Sequence, residues 1–295
     1  LVALPELSTT SLVLAAGRIG VRTASAEQLR ALSEDERRKS VVLVQDAFTS
    51  HYDTATVLDF CELLQGLGFT PWLAPFLPNG KPQQVLGLLG DFEKTAARNA
   101  EMLRSLAATG VDLVGIDPAM TLTYRAEYVK ALGKEVAPQV ALPQEWLARR
   151  LGELPITPVG PAGAFSLLAH CTEKTNAPAA VSDWLTVFRH FGVDVQVLAS
   201  GCCGMAGLYG HERVHRATSE GIYAMSWAPI VAQARYAGRL MATGYSCRCQ
   251  AGLVDGAQLE HPIRVLLGAF KSAAALRAPH AAEHGQPDAA RHEEY

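Results

Sequence analysis

Four of the six cysteines in this 295-residue chain have the residue type and the setting to bind a metal cluster. They are Cys171, Cys202, Cys203 and Cys247. Two of them are adjacent, and neighbouring cysteines rarely form a disulfide with each other because the bridge is strained. Thiolates are the soft ligands that iron–sulfur clusters require, and a four-iron cluster takes about four of them. The sequence therefore favours an iron–sulfur cluster in a reducing compartment, which we expect to be the cytoplasm.

Small and polar residues around these cysteines suit the same chemistry. Gly201 and Gly204 bracket the double cysteine, where they allow the backbone to turn tightly and approach a bulky inorganic group. We expect backbone N–H groups near Gly204 and Met205 to donate hydrogen bonds to sulfur. His170 directly precedes Cys171, so it either tunes the cluster or is an ordinary hydrogen-bonded loop residue.

Two other interpretations of the cysteines stay open. Four cysteines can hold a structural zinc ion, although zinc ligands usually come in closely spaced pairs that this spacing lacks. Unligated or redox-active thiols are the second alternative. Cys61 follows Val57 by one helical turn on an apolar face, so we expect it to be a buried core residue.

Composition limits the classes of function. Hydrophobic residues make up 49% of the chain and charged residues 19%, which is typical of a globular protein with a substantial core. The formal net charge of −3 gives no electrostatic case for binding nucleic acid or an anionic membrane. No apolar run reaches the roughly 18–20 residues that span a bilayer. The chain begins with Leu1 and lacks a secretory signal pattern, so we expect it to belong to a longer protein.

Short apolar runs alternate with helical patterns along the chain. Val41–Val44 is typical of a strand buried on both faces, and strand-like runs follow at 69–74 and 112–116, each after a helical segment. One long helix is predicted over 83–109. This order predicts a parallel sheet covered by helices. The second half repeats it, with strand-like runs at 165–169, 193–199 and 239–243.

The two halves also match each other in the positions of glycines that end helices or form turns. Aligning Gly68 with Gly192 also places Gly80 on Gly204. The predicted fold is therefore α/β, with two similar lobes, each a small parallel sheet flanked by helices, related by a pseudo-two-fold axis. Every one of the four cysteines then falls in a loop just beyond a strand of the second half. Such loops form the carboxyl edge of a sheet, where open α/β folds bind ligands.

These patterns divide the chain into four parts. Residues 1–40 are expected to be a helix and linker, and residues 41–150 a first lobe that lacks the four cysteines. Residues 151–277 are expected to form the cluster-binding lobe. Residues 278–295 are rich in Ala, His, Glu and Pro without apolar periodicity, and are expected to be disordered.

The run Gly201–Gly207, with Cys171 upstream and Cys247 downstream, resembles the cysteine-rich CCG domain. That domain occurs in the cysteine-rich subunit of heterodisulfide reductase and in the iron–sulfur subunits of glycolate oxidase and lactate-utilisation enzymes. The closer resemblance is to the C-terminal region of bacterial D-2-hydroxyglutarate dehydrogenase-type proteins, which join an FAD-binding domain to iron–sulfur modules. The matching phrases are Leu43–Asp46, Phe48–Ser50, Pro78–Lys81, His170–Thr175 and Ala242–Arg248.

This resemblance implies an electron-transfer role. The parent enzyme is expected to oxidise a D-2-hydroxy acid, with D-2-hydroxyglutarate as the expected substrate, and to pass electrons from FAD through a 4Fe-4S cluster to an acceptor that the sequence does not identify. FAD-binding and ferredoxin-like domains upstream are the implied partners, and the fragment alone is expected to be inactive. The alternatives are a catalytic cluster acting on a disulfide, as in heterodisulfide reductase, and a zinc-stabilised interaction module.

The sequence departs from the resembled pattern at one point. The CCG pattern ends in C-x-x-C, whereas Gln250 holds the last position and Cys249 lies one residue early. On a predicted strand end, this shift turns the Cys249 side chain to the opposite face. We therefore leave Cys249 outside the set of four expected ligands, with its role open, and favour a conventional cubane over a non-cubane cluster.

Overall fold

The computed structural model describes residues 4–154 and 162–277, so the expected disordered tail lies outside the described residues. The strands are β1 (Arg22–Thr23), β2 (Ser40–Val44), β3 (Thr70–Leu73), β4 (Asp112–Gly115), β5 (Ala162–Leu168), β6 (Val193–Val197) and β7 (Leu240–Ala242). The helices are α1 (Leu12–Arg18), α2 (Ala26–Arg30), α3 (Glu34–Arg38), α4 (Ala47–His51), α5 (Thr54–Gly66), α6 (Lys81–Val85), α7 (Leu89–Ala107), α8 (Pro118–Thr121), α9 (Glu127–Leu132), α10 (Pro143–Arg150), α11 (Cys171–Asn176), α12 (Pro178–His190), α13 (Arg216–Val231), α14 (Tyr245–Asp255) and α15 (Pro262–Arg277).

The strands form two separate sheets. Within each sheet, every pair of neighbouring strands is parallel. The first sheet has the order β1-β3-β2-β4 and the second the order β6-β5-β7. Helices connect successive strands, as parallel pairing requires. The predicted α/β fold with two small parallel sheets is confirmed. The segment before residue 40 also supplies the edge strand β1, which pairs with β3.

The two lobes repeat one design. Without β1, the first sheet reads β3-β2-β4, which matches β6-β5-β7 strand for strand. Gly68 and Gly192 follow the ends of α5 and α12 and have φ values of 87° and 69°, in the left-handed region that favours glycine after a helix. Gly80 and Gly204 have φ values of 78° and 86° after the second strand of each lobe. The glycines that align in sequence thus have the same backbone role.

One apolar core runs through both lobes. Helix α15, which ends the second lobe, packs on α5 of the first, and α10 packs on α12 in the reciprocal arrangement. The fully buried side chains of Phe60, Trp146, Trp184 and Leu266 belong to this shared cluster. Each lobe also has an apolar cluster of its own, which includes Leu103 in the first lobe and Trp227 in the second, and the shared cluster joins the two lobes.

The segment predicted as one helix over 83–109 is two helices in the structure. Helices α6 and α7 are separated by a turn in which Gly87 has a φ of 75°. The apolar periodicity continues across this turn, which is why the sequence pattern did not reveal it.

We expect Leu266→Ala to lower the free energy of unfolding by about 2–5 kcal/mol, because it leaves a cavity in a fully buried site. The shared core predicts that both lobes unfold in the same transition. Urea unfolding followed by circular dichroism and by tryptophan fluorescence measures both quantities. Leu208→Ala, at a side chain that is 55% exposed, is the control and should change stability by less than about 0.5 kcal/mol. Two separate transitions would contradict the shared core.

Candidate metal centre

Each of the four cysteines follows a strand of the second sheet. Cys171 is the first residue of α11, after β5, and Cys202 and Cys203 lie in the loop after β6. Cys247 lies in the first turn of α14, after β7. Because the three strands are parallel neighbours, these loops meet at one edge of the sheet.

The four thiols lie near enough to one another to perturb each other's ionisation. The interactions that shift their pKa values link Cys171 to Cys202, Cys202 to Cys203, and Cys203 to Cys247. Cys203 and Cys247 are 3% and 1% exposed, whereas Cys202 is exposed to solvent. The group of four thiols is therefore open to solvent at Cys202 and partly at Cys171, and is enclosed by the protein at Cys203 and Cys247.

Interactions among three of the thiols shift their pKa values in opposite directions. The pKa of Cys202 is lowered because Cys171 and Cys203 donate to its sulfur, and the pKa values of both donors are raised by the same bonds. The Gly204 N–H donates to Cys202 Sγ at 3.3 Å, and the Met205 N–H donates to Cys203. Negative charge on sulfur is thus stabilised from the backbone on the side of the glycine-rich loop.

His170 is buried beside the cluster of thiols and holds the start of α11. Its backbone N–H donates to Thr243 Oγ1 at 2.9 Å, and its Nδ1 accepts the Thr172 N–H at 3.2 Å. Burial lowers the pKa of His170, which favours the neutral ring. A Cβ atom at Gly244 would lie 2.3 Å from the His170 ring, so this position has no room for a side chain. The histidine fixes the position of Cys171 relative to the loop after β7.

A buried carboxyl group ties the same loops to the first lobe. Glu173 has no exposed surface and accepts hydrogen bonds from Gln144 Nε2 and Thr243 Oγ1, each at 2.6 Å. Burial raises the pKa of Glu173 to about 7. Through this group, α10 of the first lobe is connected to both the Cys171 and the Cys247 segments.

The first lobe also holds the start of α14. Asp117 Oδ2 accepts the Tyr245 N–H at 2.9 Å, and the Tyr245 ring packs 5.2 Å from that of Phe48. Arg248 forms a largely buried ion pair with Asp53. Neither Asp117 nor Asp53 was predicted as part of the site. The Asp-Pro sequence at 117–118 does signal a helix N-cap, but nothing near it in sequence indicates the partner in the other lobe.

The segment after β7 differs from the prediction. Cys249 lies within helix α14 and not on a strand end. Two residues along a helix still turn a side chain by about 200°, so Cys249 points away from Cys247. Its thiol instead interacts with the Tyr245 hydroxyl, which raises the pKa of Tyr245 after the larger effect of burial. Cys61 lies in the shared core with no exposed surface, and burial raises its pKa to about 12.

The donor set determines which metal group the site suits. Within the described ranges, no group of three or more His, Cys, Asp or Glu residues is arranged to hold a single metal ion. The residues gathered at the sheet edge offer four sulfur atoms and no carboxylate among the contacting groups. Soft sulfur donors in this number fit a cluster of iron and sulfide.

Comparison with known proteins identifies relatives that cover most of the chain. No family model matches the chain. It is 48% identical over 250 residues to D-2-hydroxyglutarate dehydrogenase of Pseudomonas putida, which covers 85% of the chain and 24% of that protein. The corresponding enzyme of Escherichia coli K12 is 43% identical over 274 residues, covering 92% and 26%. The chain is a homologue of D-2-hydroxyglutarate dehydrogenases.

The resemblance inferred from the sequence is thereby confirmed. The chain spans about a quarter of the length of these relatives and matches their C-terminal quarter. It is also 27% identical over 198 residues to one subunit of the anaerobic glycerol-3-phosphate dehydrogenase of Escherichia coli K12, covering 65% of the chain and 49% of that protein. All these relatives are named as oxidoreductases or their subunits. Among the helices that the structure describes, none has the length and apolar character to cross a membrane.

Asp46 occupies in the first lobe the place that His170 has in the second, at the N-cap of the helix after the central strand. Its carboxylate accepts the N–H groups of Phe48 and Thr49 at 2.8 and 2.9 Å and the Thr49 hydroxyl at 2.6 Å. Burial, and then the nearby charge of Asp117, raise the pKa of Asp46 to about 7.

We expect Asp46→Asn to reduce the pH dependence of stability between 3.8 and about 7. In this window the native protein keeps a proton that the unfolded chain releases, so the wild-type free energy of unfolding falls as pH rises. Asparagine can still cap the helix but does not titrate. Urea unfolding at several pH values measures the slope, with exposed Asp91→Asn as the control that keeps it. An unchanged slope in Asp46→Asn would argue against a protonated Asp46.

Proposed function

We propose that this chain binds one four-iron iron–sulfur cluster and relays electrons within a flavin-linked enzyme that oxidises a D-2-hydroxy acid. The proposed ligands are Cys171, Cys202, Cys203 and Cys247. The single observation that carries the proposal is that these four thiols follow three neighbouring parallel strands and interact with one another at one edge of the sheet. The names of the homologues support D-2-hydroxyglutarate as the substrate of the whole enzyme.

The residues of this chain have distinct roles in such a site. When bound, a cluster of this kind accepts and returns single electrons. The glycines Gly201 and Gly204 let the loop approach it, and the N–H groups of Gly204 and Met205 stabilise negative charge on sulfur. The indole of Trp227, 1% exposed, donates to the Gly201 carbonyl at 3.1 Å and keeps water from this side of the loop.

The burial of Cys203 favours a relay over catalysis at that thiol. A disulfide substrate would have to reach the iron that Cys203 holds, but Cys203 is 3% exposed. The exposed thiol is that of Cys202, on the outer side of the loop. We propose that electrons enter or leave on that side.

The partners follow from this role. We propose that FAD-binding and ferredoxin-like domains of the enzyme deliver the electrons, and that a separate acceptor removes them. All six cysteines are free, and the chemistry of the site requires reduced thiols, which supports a cytoplasmic setting.

We expect Cys203→Ala to abolish the brown absorbance and most of the iron of the protein purified without oxygen, since it removes the central thiol of the series. The control is Cys61→Ala, which removes a buried cysteine from the shared core, outside the site. It should lower stability but retain iron. Visible spectra and iron analysis at equal protein concentration provide the comparison. Wild-type iron content in Cys203→Ala, or zinc in place of iron in the wild type, would contradict the proposed function.

A further inference from the structure

Gln250 is buried beside the thiols, although it is not one of the proposed ligands. It lies on α14 one helical turn after Cys247, at the position where the resembled CCG pattern has its last cysteine, and has no exposed surface. Its Nε2 donates to Ser219 Oγ at 2.9 Å and to the Ser219 carbonyl at 3.3 Å. The side chain therefore joins α14 to α13, which is distant in sequence.

Ser219 continues this connection to the double-cysteine loop. Its hydroxyl donates to the Gly204 carbonyl at 2.9 Å. Gly204 has a φ of 86°, and a Cβ atom built on it would lie 2.2 Å from the Ser219 carbonyl oxygen. The loop thus rests directly on the backbone of α13. The N–H of the same Gly204 donates to Cys202 Sγ at 3.3 Å, so the connection reaches sulfur in three steps.

The hydrogen-bonding capacities of the three residues fix the direction of every bond. The Ser219 carbonyl can only accept, so the amide nitrogen of Gln250, and not its oxygen, must face it. The Ser219 hydroxyl gives its one proton to the Gly204 carbonyl and therefore accepts from Gln250. Gln250 Oε1 is buried and has no partner among the described residues, so the contacts to Ser219 are all made by Nε2.

We propose that Gln250 is a positioning residue for the cluster, which acts through Ser219 and Gly204 to fix the Cys202–Cys203 loop against α13. The inference rests on the proposed function, because its main consequence is for a bound cluster. It assigns to Gln250 two effects on the site. Gln250 controls how firmly the iron is held, and it influences the electronic properties of the site. Residues that orient metal ligands commonly change metal affinity by about 10–100-fold when they are removed.

The test compares two buried glutamines. Gln250→Met keeps a side chain of similar length but removes the donor. Gln45→Met makes the same change in the first lobe, where Gln45 is 6% exposed, donates to the Ala74 carbonyl at 2.7 Å and accepts from Ser50 at 3.0 Å. Both variants lose a buried amide, but only Gln250 is connected to the double-cysteine loop.

Three measurements on the full chain separate positioning from general instability. They are the rate of iron release to a chelator, the electron paramagnetic resonance spectrum of the reduced protein, and the alkylation rate of Cys203 in the iron-free protein. In Gln250→Met we expect iron release to be about tenfold faster or more, altered g values and faster alkylation of Cys203. Gln45→Met should match the wild type in all three.

The outcomes distinguish the two proposals. Unchanged iron release and g values in Gln250→Met would overturn the positioning role, and so would equal changes in both variants. If Gln250→Met does not fold, Ser219→Ala removes the same connection and carries the test. A wild type that binds no iron would end the proposed function. In that case, faster alkylation of Cys203 in Gln250→Met alone would still support the connection to the loop, and equal rates would overturn it.

Discussion

The site depends on one constraint, which is that four cysteines from three separate loops lie near one another at one edge of the second sheet. Free thiols gain little from such crowding, since ionising one raises the pKa values of its neighbours. The arrangement is maintained by the fold around it. Strands β5, β6 and β7 bring the loops to one edge, and the backbone of Gly204 and Met205 meets the sulfur atoms. An iron–sulfur cluster, which binds four soft thiolate donors, is a group that this arrangement of cysteines suits.

The first lobe contributes none of the contacting thiols, yet it holds the segments that carry them. Asp117 accepts the N–H at the start of the Cys247 helix, and Gln144 donates to the buried Glu173 behind Cys171. Both of these buried carboxyl groups have a hydrogen-bond partner from the opposite lobe, which favours a single arrangement of the two lobes. Duplication thus explains how one copy can carry the four proposed ligand cysteines while the other fixes the positions of the segments that hold them.

Much of the framework could be predicted from the sequence, because it depends on local patterns. Apolar runs identified the strands, and paired glycines such as Gly80 and Gly204 identified the repeat. The contacts across the lobes could not be predicted, since Asp117 and Tyr245 are far apart in sequence and carry no shared signal. The helix that contains Cys249 was taken for a strand end because its first turn is short of apolar residues. Gln250 seemed only a departure from a pattern until its contact with Ser219 was visible.

Iron, acid-labile sulfide and zinc analysis of the chain purified and reconstituted without oxygen, combined with Mössbauer spectroscopy, tests the central claim most directly. We predict about four irons and a matching amount of sulfide per chain, in sites with sulfur coordination. Iron without sulfide, or one zinc ion that resists replacement by iron, would contradict that prediction.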